Sequence, residues 1–332
     1  MKKFLFICNK GEDEIRIDKF VHNNIVKNDN YKTLSRRKIQ EFIKGSMLKK
    51  NNEVFNDNTY KIKTGDIVEI EIYENKEIKP EKQNIPLNIV YEDDDLLIIN
   101  KQAGLITHPG AGNYDNTLVN ALLFYCGDNL SNINNPIRPG IVHRLDKDTT
   151  GLMVVAKNNH THEILKQQLK DRILKRKYNA IIWGNIVPPQ GIIEGYINRC
   201  KTNRLKMELT KDNTGKYSLT NYKILENYGS VASLVECELD TGRTHQIRVH
   251  FSSKKHPLIG DYNYGGNLRK IKGEENKYKT FIEQFPRQAL HSKVIKFIHP
   301  RTQKEMFFES DLPQDMKDLI NNLKLLNNVN KY

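Results

Sequence analysis

The spacing of apolar and polar positions divides the chain into a short first unit and a longer second one. After the turn residues Gly65-Asp66, Val68, Ile70 and Ile72 alternate with Glu69 and Glu71, which predicts a strand with one buried face. Upstream, Ile39, Phe42 and Ile43 share one side of a short predicted helix that Ser35 caps and Gly45 ends. Residues 14–74 therefore read as one compact unit. Between 75 and 86 apolar content falls away in favour of Lys, Glu and Asn, and Pro80 and Pro86 appear, as in a linker.

Beyond the linker, Leu96–Ile99, Leu152–Ala156, Tyr178–Trp183 and Val231–Leu239 are apolar runs of strand length. Thr117–Tyr125 and His160–Arg172 are helix-like. The order lacks the strand–helix alternation of a doubly wound parallel protein, so residues 87–326 are expected to form an α+β domain on a mostly antiparallel mixed sheet. In Gln314–Leu326, Met316, Leu319, Ile320 and Leu323 recur at helical spacing and predict a helix that caps this domain. A chain of 332 residues has material for two such domains.

Composition narrows the partners. With 28% charged and 38% hydrophobic residues the chain reads as globular. Lys and Arg outnumber Asp and Glu by 53 to 40, a net +13 that favours polyanions, nucleic acid first. An AT-rich genome would also enrich Lys and Asn, so charge alone does not decide the matter. Its distribution adds more: Lys32, Arg36, Arg37, Lys38, Lys44, Lys49 and Lys50 face only Glu41 across the predicted helix and its flanks. An ordinary solvated face could look the same. Two further stretches, Lys166–Lys177 and Arg199–Lys211, carry six and five positive residues against one acidic residue each and are candidate phosphate tracks.

Other function classes lose ground. Cys8, Cys126, Cys200 and Cys237 form no C-x-x-C pair, which argues against a zinc knuckle or a disulfide framework and fits a reducing compartment. Phe4–Cys8 is too short for a signal-peptide core, and no stretch approaches the ~18 apolar residues of a membrane span, so a cytoplasmic protein is expected. His143, His245, His250 and His291 lack the H-E-x-x-H spacing of a metal site, and no metal is expected.

The segment with most chemical promise is His143-Arg144-Leu145-Asp146-Lys147-Asp148-Thr149-Thr150-Gly151, which enters an apolar strand. A turn at that place can hold one carboxylate rigidly at a cleft, and Arg144 and Lys147 would favour the ionised form of Asp146. By residue type alone, such an Asp is more often a turn or capping residue.

This nonapeptide resembles the signature of the RluA-type family of pseudouridine synthases. Blocks in matching order are Ile98-Ile99-Asn100-Lys101-Gln102-Ala103-Gly104-Leu105, Arg176-Lys177-Tyr178-Asn179-Ala180, Thr241-Gly242-Arg243-Thr244-His245-Gln246-Ile247-Arg248-Val249-His250, His256-Pro257-Leu258-Ile259-Gly260-Asp261 and Arg287-Gln288-Ala289-Leu290-His291. The resemblance implies that Asp146 is the essential carboxylate, Tyr178 stacks on the target base and Arg248 pairs with Asp146. It also implies that Arg144 fills the stack left by a flipped uridine, with Arg243 as a further RNA contact, and that the isomerisation needs no cofactor. Arg16-Ile17-Asp18-Lys19-Phe20, Ser35-Arg36-Arg37-Lys38-Ile39-Gln40, Ile43-Lys44-Gly45 and Lys63-Thr64-Gly65-Asp66 resemble an S4 RNA-binding domain, with Arg36, Arg37, Lys38 and Lys44 as implied RNA contacts. Lys50-Asn51-Asn52 stands where that domain usually has Val-Asn-Gly, and Asn can adopt the left-handed turn.

Within the family, Thr107-His108-Pro109-Gly110-Ala111-Gly112 and Leu312-Pro313-Gln314-Asp315-Met316 are most similar to the RluD branch, which implies uridines of 23S rRNA, or its large-subunit precursor, as substrate. No obligate protein partner is evident. A non-catalytic RNA-binding factor in ribosome assembly is the alternative, against which the full set of Asp146, Tyr178 and Arg248 argues.

Overall fold

In the computed structural model the residues described are 2–28, 31, 34–72, 80–110, 112–127, 129–133, 137–203, 205–210, 214–271 and 277–329. The chain divides into two compact units, Met1–Ile78 and Lys79–Tyr332.

The first unit contains β1 (Lys2–Ile7), α1 (Ile17–Ile25), α2 (Arg36–Lys44), β2 (Leu48–Lys50), β3 (Glu53–Val54) and β4 (Ile67–Ile72). The strands form an antiparallel sheet in the order β1-β4-β2-β3. Ile17, Phe20 and Val21 of α1 and Ile39, Phe42 and Ile43 of α2 are buried with Val68, Ile70 and Ile72 of β4. As the sequence pattern predicts, the Ser35 Oγ caps α2 by accepting from the Lys38 N–H, and Asn51 and Asn52 take positive φ of 50° and 72° at the β2–β3 turn. The unit begins earlier than residue 14, because β1 pairs with β4 from Lys2 to Ile7. Its Phe-Leu-Phe-Ile run is apolar on both faces and gives no alternation to read.

Residues 75–79 of the expected linker lie outside the described residues. Residues 80–86 belong to the second unit: the Gln83 N–H donates to Asn120 O, Asn120 Nδ2 donates to Glu81 O, and Ile85 packs on the core. Side-chain amides and a single apolar anchor hold this segment, so its low apolar content reads as linker in sequence.

The second unit is built on ten strands: β5 (Ile89–Glu92), β6 (Leu96–Lys101), β7 (Thr150–Ala156), β8 (Lys175–Trp183), β9 (Gln190–Arg199), β10 (Met207–Thr210), β11 (Lys216–Tyr228), β12 (Ala232–Leu239), β13 (Leu290–Ile298) and β14 (Glu305–Glu309). Nine follow the order β10-β9-β11-β12-β8-β13-β7-β6-β5, with β14 alongside β13. All pairings are antiparallel except β7 with β13, so the sheet is mixed and mostly antiparallel, as expected. Leu97, Ile99, Met153 and Val155 face one core, with Leu118 and Leu122 of α3 (Leu118–Cys126). Leu96, Ile98, Leu152 and Val154 face another, with Leu165 of α4 (Asn159–Lys170). Burial on both faces explains why these strands appear as unbroken apolar runs. After α5 (Gln246–Ser253) and α6 (Lys277–Glu283), α7 (Gln314–Val329) buries Met316, Leu319 and Leu323 in a third cluster with Trp183.

The parallel pair sets the site. Thr150 and Gly151 meet His291 and Ser292, and a Cβ on Gly151, whose φ is +112°, would lie 2.3 Å from Ser292 O. Only glycine permits this approach, and it places the turn before β7 beside β8, which also pairs with β13.

Candidate active site

Asp146 lies in the turn that leads into β7, and long-range hydrogen bonds fix the backbone on both sides of it. Thr107 Oγ1 donates to Leu145 O at 2.7 Å, Lys101 Nζ to Lys147 O at 2.9 Å and Arg287 Nη1 to Asp148 O at 3.1 Å. Lys101 is 1% exposed and also donates to Gln102 O and Leu105 O, so three carbonyls satisfy its ammonium. Burial, opposed by Asp148 and Asp146, lowers its pKa to about 7. A carboxylate on a turn held at three carbonyls needs little further ordering before it reacts.

Arg248, in the first turn of α5, grips that carboxylate. Its Nη1 donates to Asp146 Oδ2 at 2.9 Å, while Nε and Nη2 make a bidentate pair with Asp261 at 2.7 and 2.9 Å. The side chains of Arg248, Asp146 and Asp261 are 5%, 15% and 0% exposed. Tyr264 lies under the guanidinium, 5.0 Å from its ring centroid. The sequence reading therefore places the Asp146–Arg248 pair correctly and misses Asp261, whose only signal was membership in the His256–Asp261 block.

Burial by itself would raise the Asp146 pKa, but His245, Arg248 and Arg144 outweigh it and hold the carboxyl below its ordinary value. Burial, opposed by Asp146, lowers the pKa of His245 in turn. The Tyr264 Oη accepts from the Met207 N–H and lies within hydrogen-bond distance of His245 Nδ1, at 2.9 Å. His245 Nε2 stands 3.9 Å from Asp146 Oδ2.

Tyr178, 4% exposed on β8, lines an inner recess with Asp146, Leu239, Arg248 and Leu290. This recess adjoins an open cleft of about 630 Å³. The cleft carries Arg138, Arg144, Lys170, Arg172, Arg176 and Arg243 against Asp146 and Asp240, a strongly cationic lining. Arg144 Nη1 is 3.1 Å from His108 Nε2, and His108 Nδ1 is 2.9 Å from Pro109 O, which fits a neutral His108 that accepts from Arg144. Arg243 is held at the rim by Nε donation to Tyr217 O.

The remaining histidines of the sequence reading are occupied separately. His143 Nε2 accepts from the Val154 N–H, His250 sits between Ser218 and Thr220, and His291 between Thr150 and Ser310. Asp93, Asp95 and His299 also converge, and Arg301 binds both oxygens of Asp95 at 2.6 Å.

In the first unit, Arg37 and Lys44 are exposed on α2 and Lys38 is half-buried. Arg36 differs from them: it makes a bidentate pair with fully buried Asp18, at 3.1 and 2.9 Å, which also accepts from Arg16 and Gln40. Its guanidinium is tied to the fold. Of the basic positions, Lys32, Arg204 and Lys211 lie outside the described residues.

The bridge through Arg248 predicts a positioning role for Asp261. Asp261→Asn should lower stability by about 3–5 kcal/mol, because a buried ion pair loses one partner, and should slow the isomerisation that the resemblance implies at least tenfold, with RNA affinity little changed. Unfolding by denaturant and single-turnover pseudouridine formation check this; full activity in the variant would mean that Arg248 needs no second anchor.

A family model described as RNA pseudouridylate synthase matches residues 95–253, a span that contains Asp146, Tyr178 and Arg248. Ribosomal large subunit pseudouridine synthase D of Zymomonas mobilis is 43% identical over 295 residues, 89% of this chain and 91% of that protein. An uncharacterized RNA pseudouridine synthase, YlyB, of Bacillus subtilis is 42% identical over 324 residues, 98% of this chain and 99% of that protein. Among solved structures, human RNA pseudouridylate synthase domain containing 4 shares the fold, with a TM-score of 0.54 at 23% identity over 71% of this chain and 93% of that one. Described residues include no helix long and apolar enough to cross a membrane. With more than 40% identity to the Zymomonas mobilis and Bacillus subtilis proteins along nearly the whole of each, the chain belongs to the RluA family of RNA pseudouridine synthases.

Proposed function

We propose that this enzyme converts uridines of 23S ribosomal RNA to pseudouridine, with Asp146 as the essential carboxylate. The observation that carries the reading is the Asp146 carboxyl, gripped by Arg248 and open to a cleft lined by six cationic side chains. The charge suits RNA, whose phosphates supply most of the affinity of such complexes. The substrate follows from the relatives named for the ribosomal large subunit and from the blocks that resemble the RluD branch.

The reaction breaks the bond between uracil N1 and ribose C1′, turns the base, joins C5 to C1′, releases the C5 proton and leaves N1 to take up a proton in its place. Asp146 can serve by attack on C1′ or C6, or by removal of the C2′ proton, and each route requires the anion. Arg248 keeps Asp146 charged and aimed. Tyr178 stacks on the uracil and assists loss of the C5 proton. Arg144, exposed at the mouth of the recess, fills the place of the flipped uridine.

Asp146→Asn tests the reading with little change of volume. Pseudouridine formation in large-subunit RNA should fall about a thousandfold or more, while RNA affinity and the unfolding transition stay close to the parent. Substantial turnover would remove Asp146 from the chemistry.

The first unit fits an S4 RNA-binding domain, supported by its basic α2, the left-handed Asn51-Asn52 turn and its four S4-like sequence blocks. Arg37, Lys38 and Lys44 are the RNA contacts of this reading, and Arg36 contributes through the shape it gives the helix. Replacing Arg37, Lys38 and Lys44 together with Gln in the full chain should flatten the fall of log affinity with log salt by roughly 0.7–0.9 for each phosphate that is no longer neutralised. An unchanged salt slope would make this helix a solvated face.

A further inference from the structure

Six positive residues lie between Lys166 and Lys177, and the fold neutralises several of them unequally. Lys175 and Lys177 reach across to Glu238 and Glu236 of β12 at 3.1 and 2.9 Å, and Arg172 lies 3.5 Å from Asp240. Arg176 points to the other face of β8, with Tyr178, and is only 6% exposed. Among the described residues, no acidic side chain pairs with its guanidinium, and its Nε is buried with no hydrogen-bond partner. Gly242 leaves space beside it, since a Cβ there would stand 3.0 Å from Arg176 Nη1.

A buried cation with no counter-charge is costly to the free protein. Such a cost at the wall of a substrate cleft points to an anion brought by the ligand. Position selects which anion. Arg176 lines the open cleft but not the inner recess formed by Asp146, Tyr178, Leu239 and Leu290. It stands two residues from Tyr178 on the same strand face, about 7 Å along β8, a separation comparable to that between the base and the phosphate of one nucleotide. We propose that Arg176 binds the backbone phosphate adjoining the target uridine and anchors the nucleotide while Tyr178 and Asp146 engage its base and sugar. The assignment rests on the cleft being the uridine site.

The test uses the full-length Asp146→Asn protein, so that bound RNA is not converted, and a hairpin of 23S rRNA sequence. In one set of hairpins a neutral methylphosphonate replaces the phosphate on the 5′ or the 3′ side of the target uridine. Adding Arg176→Met should weaken binding of the unmodified hairpin about 10- to 100-fold, the effect of removing one charge-assisted hydrogen bond. One of the two neutral linkages should weaken the parent by a similar factor and the Arg176→Met protein by almost nothing further. Arg176→Lys should keep part of the sensitivity. The free Arg176→Met protein should melt no lower than its parent, because the change removes an unpaired buried charge.

Equal sensitivity of both proteins to both linkages would overturn the proposal. Unchanged affinity with slower turnover in an otherwise wild-type chain would also overturn it, by moving the charge to the departing uracil. A lower melting temperature together with reduced affinity would reduce Arg176 to a structural post. Failure of the cleft reading itself is separate, since it would appear as undiminished turnover by the Asp146→Asn parent.

Discussion

The structure around Asp146 depends on one guanidinium shared between two carboxylates. Arg248 bonds Asp146 on one side and Asp261 on the other while itself almost wholly buried. Its charge is held by both carboxylates against the cost of burial. Asp261 receives the bidentate geometry, which fixes the plane of the guanidinium, and Asp146 receives the remaining N–H. The division lets one carboxylate act as an anchor and leaves the other, with 15% of its side chain exposed, open to substrate.

The backbone supports the same end by different means. Thr107, Lys101 and Arg287 bind the carbonyls of residues 145, 147 and 148 from three separate segments. Arg287 is itself held by Asp315 at the start of α7 through bonds of 2.6 and 2.9 Å. Thus the C-terminal helix, which sequence suggests only as a cap for the core, also braces the turn that carries Asp146. The close approach of Gly151 to Ser292 sets where that turn stands relative to Tyr178.

Strand and helix positions were legible wherever burial follows a simple period, as in β4, α2 and α7, or leaves an unbroken apolar run, as in β7. β9 and β11 were not, because exposed Lys, Glu and Asn alternate with few strongly apolar residues. α5 escaped for the opposite reason: Gln246, Arg248 and His250 are buried beside Ile247, Val249 and Phe251, so no polar face marks it as a helix. At the site, local blocks identified Asp146, Tyr178 and Arg248, yet partners chosen by the fold stayed hidden. Asp261 is an ordinary-looking residue after a glycine, and Arg36 reads as a surface cation until Asp18, 18 positions away, is seen beneath it. Arg176 likewise merges into a run of basic residues until its neighbours are found to be paired and it is not.

The central claim is that arginines, and Arg248 above all, hold Asp146 as an anion against its burial. The direct measurement is the pKa of Asp146, followed by carboxyl ¹³C NMR in protein labelled at aspartate, with the signal assigned by its disappearance in Asp146→Asn. In the wild type the pKa should lie below the ordinary value of about 3.9. The group then adds stability above its unfolded pKa, and that contribution is lost as pH falls through the lower folded value. In Arg248→Met burial should prevail and the pKa should rise above the ordinary value. A wild-type pKa at or above about 3.9, or one that Arg248→Met leaves in place, would contradict the account.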